Sequence, residues 1–118
     1  RKILVVDDSP VERLALQEVL GRNGYQVLTA ENGEQAIARS RSDHPDLILM
    51  DVVMPGMNGY QATRTISRDD DTRDIPIIMC TSKGQETDKI WGMRQGALDY
   101  LVKPVDHDEL LARIRAMG

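Results

Sequence analysis

The 118-residue sequence contains a single cysteine and no phenylalanine, and both shortages restrict what the chain can be. Cys80 has no partner within the chain, so an internal disulfide is excluded, which suits the reducing cytosol. Without phenylalanine, the core must be built mainly from aliphatic side chains. Histidine is also scarce, and the two residues, His44 and His107, do not have the spacing of metal ligands.

Long apolar runs are missing as well. No run approaches the length of a membrane span and no signal peptide is visible, so we expect a cytoplasmic protein without membrane insertion. The formal net charge is -4, which argues against direct binding to nucleic acid. The length suits one domain with one core, and no linker divides it. We therefore predict a single domain over residues 1–118.

Five short β-prone runs alternate with segments of helical periodicity, in the order βαβαβαβαβα. They lie at residues 3–6, 25–30, 47–50, 77–80 and 100–102. This alternation predicts an α/β fold, in which a parallel sheet carries helices on both faces. The predicted architecture is a doubly wound, flavodoxin-like (βα)5 domain with strand order 2-1-3-4-5.

Helix starts are marked by capping residues. Ser9 is predicted as the N-cap of the first helix, with Glu12 completing a capping box. Asp106 and Glu109 are predicted to play the same two parts for the last helix. Trp91, in the fourth helix, is predicted to be a packed residue.

Four of the predicted strands end in polar residues: Asp7 and Asp8, Asp51, Thr81 and Lys103. Because the carboxyl ends of parallel strands lie along one edge of a sheet, these side chains should converge. Strand order 2-1-3-4-5 would place the three acids at the switch point, where such folds bind ligands. Each residue alone has an ordinary structural explanation, but their convergence favours a site.

The chemistry of the predicted cluster is that of phosphoryl transfer. Three neighbouring carboxylates repel one another unless a cation is present, and oxygen-only ligands favour a hard ion such as Mg²⁺. Lys103 offers a compact positive charge and Thr81 a hydroxyl donor. Asp51 is then the candidate nucleophile.

In these motifs the sequence resembles the response-regulator receiver domains of two-component signalling, of the CheY-like kind. The matching segments are VVDDS, LMDVVMPGMNG, TS, GALDY and VKP, which begin at residues 5, 49, 81, 96 and 102. The resemblance implies that Asp51 is the phosphoacceptor and that Lys103 contacts the phosphoryl group. It implies a Mg²⁺ (or Mn²⁺) site formed by Asp7, Asp8, Asp51 and the backbone carbonyl of Val53.

The same resemblance implies a conformational switch. Thr81 would be the switch hydroxyl, and Tyr100 the aromatic residue that changes rotamer with it. Lys89 and Met93 on the fourth helix, Tyr100 on the fifth strand and part of the last helix would form the output face. The Lys103–Pro104 peptide bond is expected to be cis.

The partners follow from the resemblance. A sensor histidine kinase or its phosphotransfer domain would donate the phosphoryl group, and a downstream protein would bind the output face. Residues 85–97 are similar to stand-alone receivers of chemotaxis-like systems that control type IV pilus twitching motility. Such a domain assists its own phosphorylation and dephosphorylation but is not an enzyme in the usual sense.

Two other classes of function remain open at the level of sequence. The first is a phosphorylation-independent, receiver-like interaction or dimerisation domain. Against it, this sequence retains all three acids and Lys103. The second is a flavin-binding domain or a small phosphohydrolase with the same layout. Against flavin, the acids after the first strand would repel an anionic cofactor, and no phosphate-cradling loop is present there.

Overall fold

The computed structural model describes residues 1–117, in which strands and helices alternate without exception; Gly118, the end of the predicted domain, lies outside the described residues. None of the described helices combines the length and hydropathy that a membrane crossing requires. The ten elements are β1 (Lys2–Val6), α1 (Pro10–Arg22), β2 (Gln26–Ala30), α2 (Gly33–Asp43), β3 (Leu47–Met50), α3 (Gly59–Arg68), β4 (Ile77–Thr81), α4 (Glu86–Gln95), β5 (Asp99–Val102) and α5 (His107–Ala116).

The five strands form one parallel sheet in the order β2-β1-β3-β4-β5. This confirms the predicted α/β, flavodoxin-like topology. β2 is an outer strand, and the direction of winding changes between β1 and β3. The carboxyl ends of β1 and β3 therefore lie side by side at the switch point.

Apolar side chains fill both faces of the sheet. Because side chains alternate along a strand, Ile3 and Val5 join a cluster beneath α1 and α5, whereas Leu4 and Val6 join one beneath α2 and α3. The buried members of both clusters are aliphatic apart from Cys80, Met50 and Met54, in line with the absence of phenylalanine. Burial of each large aliphatic side chain stabilises the fold by roughly 1.5–3 kcal/mol. A third cluster lies towards α4 and consists of Val52, Tyr60, Met79, Ala97 and Tyr100.

The capping box predicted for α1 does not form. The Ser9 hydroxyl accepts a hydrogen bond from the backbone N–H of Glu12, at 3.4 Å, as predicted. The Glu12 carboxylate, however, accepts a hydrogen bond from the Lys103 ammonium instead of returning to the cap. A charged donor binds a carboxylate more strongly than a backbone N–H does, so the prediction for Glu12 was wrong.

The box predicted for α5 is incomplete for a similar reason. The Asp106 side chain caps the helix by accepting a hydrogen bond from the backbone N–H of Asp108, at 3.0 Å. Glu109 pairs with Arg113 one turn further along, with a shortest N–O distance of 3.3 Å. This ion pair, between residues four apart on the helix, forms instead of the hydrogen bond that Glu109 would accept from the N-cap backbone.

α4 contacts the sheet through a glycine and turns its large apolar residues outward. A Cβ atom at Gly92 would lie 2.8 Å from Met79 Sδ and 3.0 Å from the Tyr100 ring, so a larger residue there would force these side chains to shift. Ile90, Trp91 and Met93 are 46%, 50% and 45% exposed. The prediction that Trp91 is packed was therefore wrong, because the buried residue of α4 is Gly92 and Trp91 is half exposed.

Candidate functional site

The register of the sheet brings two acids together. Val6 at the end of β1 pairs with Met50 at the end of β3, and Asp7 and Asp51 directly follow them. The backbone N–H of Asp51 donates to the carbonyl of Val6, at 3.0 Å. Both carboxylates are buried, while Asp8 is exposed. One carboxylate oxygen from each of Asp7, Asp8 and Asp51 lies within 4.8 Å of the other two.

This cluster has the donor set that a hard divalent cation requires. All three side chains offer carboxylate oxygens, two of them from buried positions, and within residues 1–117 no histidine or cysteine joins the group. Three negative charges within such a distance are costly without a countercharge. The site thus fits Mg²⁺ or Mn²⁺, as the sequence predicts. Val53, whose carbonyl is the fourth predicted ligand, follows Val52 in the same loop.

Lys103 is the countercharge within the chain. It follows β5, and its backbone N–H donates to the carbonyl of Thr81, at 2.8 Å. Its ammonium lies 2.7 Å from Asp7 Oδ2 and 3.5 Å from Asp51 Oδ2, and it also bonds to Glu12. The peptide bond from Lys103 to Pro104 is cis, as predicted. The Lys103 ammonium therefore forms ion pairs with three carboxylates.

The pKa values of the two buried acids, Asp7 and Asp51, are shifted in opposite directions. Burial raises the pKa of Asp51 above its ordinary value of 3.8, and repulsion from Asp7 adds to this, while attraction to Lys103 only partly offsets it. Burial would also raise the pKa of Asp7, but its hydrogen bonds, first that from Lys103, hold it below the ordinary value. Asp7 is thus the firmly ionised partner of Lys103, and Asp51 is the acid that gains most from added positive charge.

The same contacts stabilise the charged form of Lys103. Burial opposes its charged form, but hydrogen bonds to Asp7 and Glu12, together with attraction to Asp51, raise its pKa above the ordinary value of 10.5. Its side chain is only 17% exposed. Lys103 is therefore a fixed positive charge at the mouth of the site.

Thr81 and Tyr100 lie behind this charged cluster. Thr81 is fully buried at the end of β4, and a hydrogen bond from its side chain offsets a small part of the rise in the pKa of Asp51. The Tyr100 ring is 8% exposed, and its hydroxyl donates to the backbone carbonyl of Lys83, at 2.7 Å. The backbone N–H of Lys83 in turn donates to the Thr81 hydroxyl, at 3.4 Å. Residues 81–83 thus connect the acid cluster to Tyr100.

The predicted partner-face residues are not one continuous exposed patch. Met93 is 45% exposed and Lys89 is half-buried, whereas Tyr100 is buried. The exposed Ile90 and Trp91 were not predicted for this face. They add large apolar area to α4 that could bind a partner.

Two residues next to the site escaped the sequence analysis. Glu12 was assigned to a helix cap, yet it binds Lys103. Tyr60 was not singled out, yet its hydroxyl lies 3.4 Å from that of Tyr100. Glu12 could have been noticed because it lies one helical turn beyond Asp8, on the first turn after the acids. No comparable signal in the sequence marks Tyr60.

The site is open to solvent. A pocket of about 450 Å³ is bordered by the three acids, Glu12, Ser82 and Lys103. A small anionic group could therefore reach Asp51 and Lys103 from this pocket. The small side chain of Ser82 leaves this approach free.

Comparison with known proteins gives matches over almost the whole chain. A family model described as the response regulator receiver domain matches residues 3–115. Protein PilH of Pseudomonas aeruginosa is 55% identical over 116 residues, which cover 98% of this chain and 96% of PilH. The chain also matches longer transcriptional regulators, and it spans about half of their length.

Solved structures agree with these matches. Chemotaxis protein CheY4 of Vibrio cholerae has a TM-score of 0.91 and 33% identity, with 98% of this chain and 96% of that chain covered. The receiver domain of sensor histidine kinase PA1611 from Pseudomonas aeruginosa has a TM-score of 0.91 and 34% identity, with coverages of 98% and 95%. That structure contains a magnesium ion coordinated in its active site cleft.

Proposed function

Because the chain belongs to the response regulator receiver domain family, we propose that it is a phosphorylation-controlled signalling module whose phosphoacceptor is Asp51. The observation that carries the proposal is the position of this carboxylate. It lies at the end of β3, 3.5 Å from the Lys103 ammonium and within the acid cluster, and it faces an open pocket.

In the proposed reaction, an oxygen of Asp51 attacks the phosphorus of a phosphohistidine. The P–N bond breaks, an acyl phosphate forms, and the released imidazole takes up a proton. Lys103 would bind a phosphoryl oxygen, since it already lies beside Asp51 and keeps its charge. Asp7, Asp8, Asp51 and the Val53 carbonyl would hold Mg²⁺ (or Mn²⁺), whose charge offsets that of the phosphoryl oxygens.

We propose that the new phosphate changes the position of Thr81. Its buried hydroxyl would turn to the phosphate, and Tyr100 would be held inward behind it. The exposed surface of α4 and β5, including Lys89 and Met93, would then bind a downstream protein in a state-dependent manner. Phosphate would bias an existing equilibrium by about 1–3 kcal/mol.

The donor in this proposal is a sensor histidine kinase or its phosphotransfer domain. Similarity to PilH supports a receiver of the chemotaxis or pilus-motility type. The complete set of acids and Lys103 speaks against the phosphorylation-independent interaction or dimerisation domain, which would not need them.

The site of phosphorylation can be mapped directly. After incubation with acetyl phosphate and Mg²⁺, borohydride reduction should convert the acyl phosphate at Asp51 to homoserine, which peptide mass spectrometry would locate. Phosphate-dependent homoserine at Asp7 or Asp8, with Asp51 unmodified, would overturn the assignment.

Divalent ions should stabilise the protein through the acid cluster. At ten times its Kd, Mg²⁺ is expected to add about 1.4 kcal/mol to the free energy of unfolding, which thermal unfolding would measure. Asp8→Asn should largely remove this gain. The control, Asp71→Asn, removes the same charge from the connection between α3 and β4 and should keep it. Equal gains in both variants would place the ion elsewhere.

Glu12 is expected to slow phosphorylation, because it binds Lys103 and adds negative charge beside the pocket. Glu12→Gln should raise the rate of phosphorylation by acetyl phosphate about two- to fivefold, the effect of one partly exposed charge. The control is Glu18→Gln, which removes an exposed charge paired with Arg22 on the same helix. An unchanged or lower rate in Glu12→Gln would refute this role.

A further inference from the structure

Two tyrosines meet behind the phosphorylation site. Among the described residues, Tyr60 and Tyr100 are the only buried aromatics, at 9% and 8% exposure. Their hydroxyl oxygens lie 3.4 Å apart. Tyr60 belongs to α3 and Tyr100 to β5, so the contact joins two elements far apart in the chain.

Both hydroxyl groups lie within hydrogen-bond distance of an acceptor. Tyr100 donates to the carbonyl of Lys83, at 2.7 Å. Tyr60 can donate either to the carbonyl of Asp88 on α4, at 3.2 Å, or to the Tyr100 oxygen. Tyr60 is thus the side chain that can donate a hydrogen bond to the buried Tyr100 hydroxyl. An outward Tyr100 would lose this contact, while Tyr60 would keep Asp88.

α4 closes over this pair. Gly92 lies so close that an added Cβ would be 3.0 Å from the Tyr100 ring and 2.8 Å from Met79 Sδ. Tyr60 reaches the same helix through the Asp88 carbonyl. The position of α4 and the rotamer of Tyr100 therefore depend on the same small set of contacts.

We propose that Tyr60 is a positioning residue that holds Tyr100 inward and couples this rotamer to α4. The inference rests on the proposed function, because it assumes that phosphorylation of Asp51 favours the inward Tyr100. By reciprocity, a contact that stabilises the inward rotamer must also favour the phosphorylated form. Its removal costs the buried Tyr100 hydroxyl one hydrogen bond.

Tyr60→Phe tests this role because it removes the hydroxyl and keeps the packed ring. The full chain would carry ¹³C-labelled tyrosine, and beryllofluoride with Mg²⁺ would serve as the phosphoryl mimic. The Tyr100 signal would be followed by NMR. We expect Tyr60→Phe to raise the beryllofluoride concentration for half-conversion about fivefold, the effect of one hydrogen bond. The signal of the free protein should also shift towards that of an exposed tyrosine.

Tyr25→Phe is the matched control. Tyr25 is half-buried and packs against the cluster beneath α1 and α5, so both readouts should stay at wild-type values. The inference would be overturned if Tyr60→Phe left both the Tyr100 signal and the beryllofluoride concentration for half-conversion unchanged. Equal changes in both variants would also overturn it. If wild-type protein does not respond to beryllofluoride, the proposed function fails. The free Tyr100 signal in Tyr60→Phe then decides the inference alone.

Discussion

Replacement of Lys103 by methionine is expected to destabilise the protein strongly when no divalent ion is present. Near neutral pH the free energy of unfolding should fall by about 3 kcal/mol, which corresponds to a decrease in Tm of roughly 10 °C. The cause is the loss of the cation that lies 2.7 Å from Asp7, 3.5 Å from Asp51 and in contact with Glu12.

Thermal unfolding with and without Mg²⁺ would measure this effect. Mg²⁺ should restore much of the lost stability, because it replaces the missing positive charge. Acidification should also reduce the deficit, since protonation removes the repulsion between Asp7 and Asp51. Lys83→Met removes an exposed lysine from the connection between β4 and α4 and should change Tm by little. A deficit no larger than that of Lys83→Met would mean that Lys103 does not hold the cluster together.

Asp51→Asn is expected to abolish phosphorylation and to raise Tm at the same time. Asp51 is buried and has a raised pKa, so its ionisation at neutral pH opposes folding. Without divalent ions, each kcal/mol of this opposition that the substitution relieves would raise Tm by about 3–6 °C. The variant therefore separates loss of function from loss of fold.

The pH dependence of this gain follows from the direction of the shift. The stability contributed by the protonated Asp51 is fully present below its ordinary pKa of 3.8 and is lost as pH rises through the raised value in the folded protein. Asparagine cannot lose a proton, so the Tm difference should be small near about pH 3 and largest at neutral pH. Asp71→Asn, on the exposed connection, should give no such trend. A constant difference across this range would contradict a raised pKa for Asp51.

The fold and the charged residues of the site could be predicted because both follow from local pattern. Apolar runs alternate with helical segments, which fixes a parallel sheet, and such a sheet aligns its strand ends. Asp7, Asp51 and Lys103 directly follow strands, so their convergence needs no knowledge of side-chain rotamers.

The wrong and missed predictions concern side chains for which the sequence allows more than one environment. Glu12 could complete a helix cap or bind Lys103, and the balance depends on where Lys103 lies in space. Trp91 could face the sheet or the solvent. The residue of α4 that lies close to the sheet is Gly92, and Trp91 is exposed. Tyr60 meets Tyr100 across 40 residues of chain. These outcomes depend on distances between elements, which periodicity does not encode.

The most direct test of the central claim is the intact mass of the protein after incubation with acetyl phosphate. Wild-type protein with Mg²⁺ should gain the mass of one phosphoryl group. The gain should disappear with EDTA and in Asp51→Asn, whereas Asp71→Asn should behave as wild type. A phosphate adduct of equal yield in Asp51→Asn would contradict the assignment of Asp51 as the phosphoacceptor.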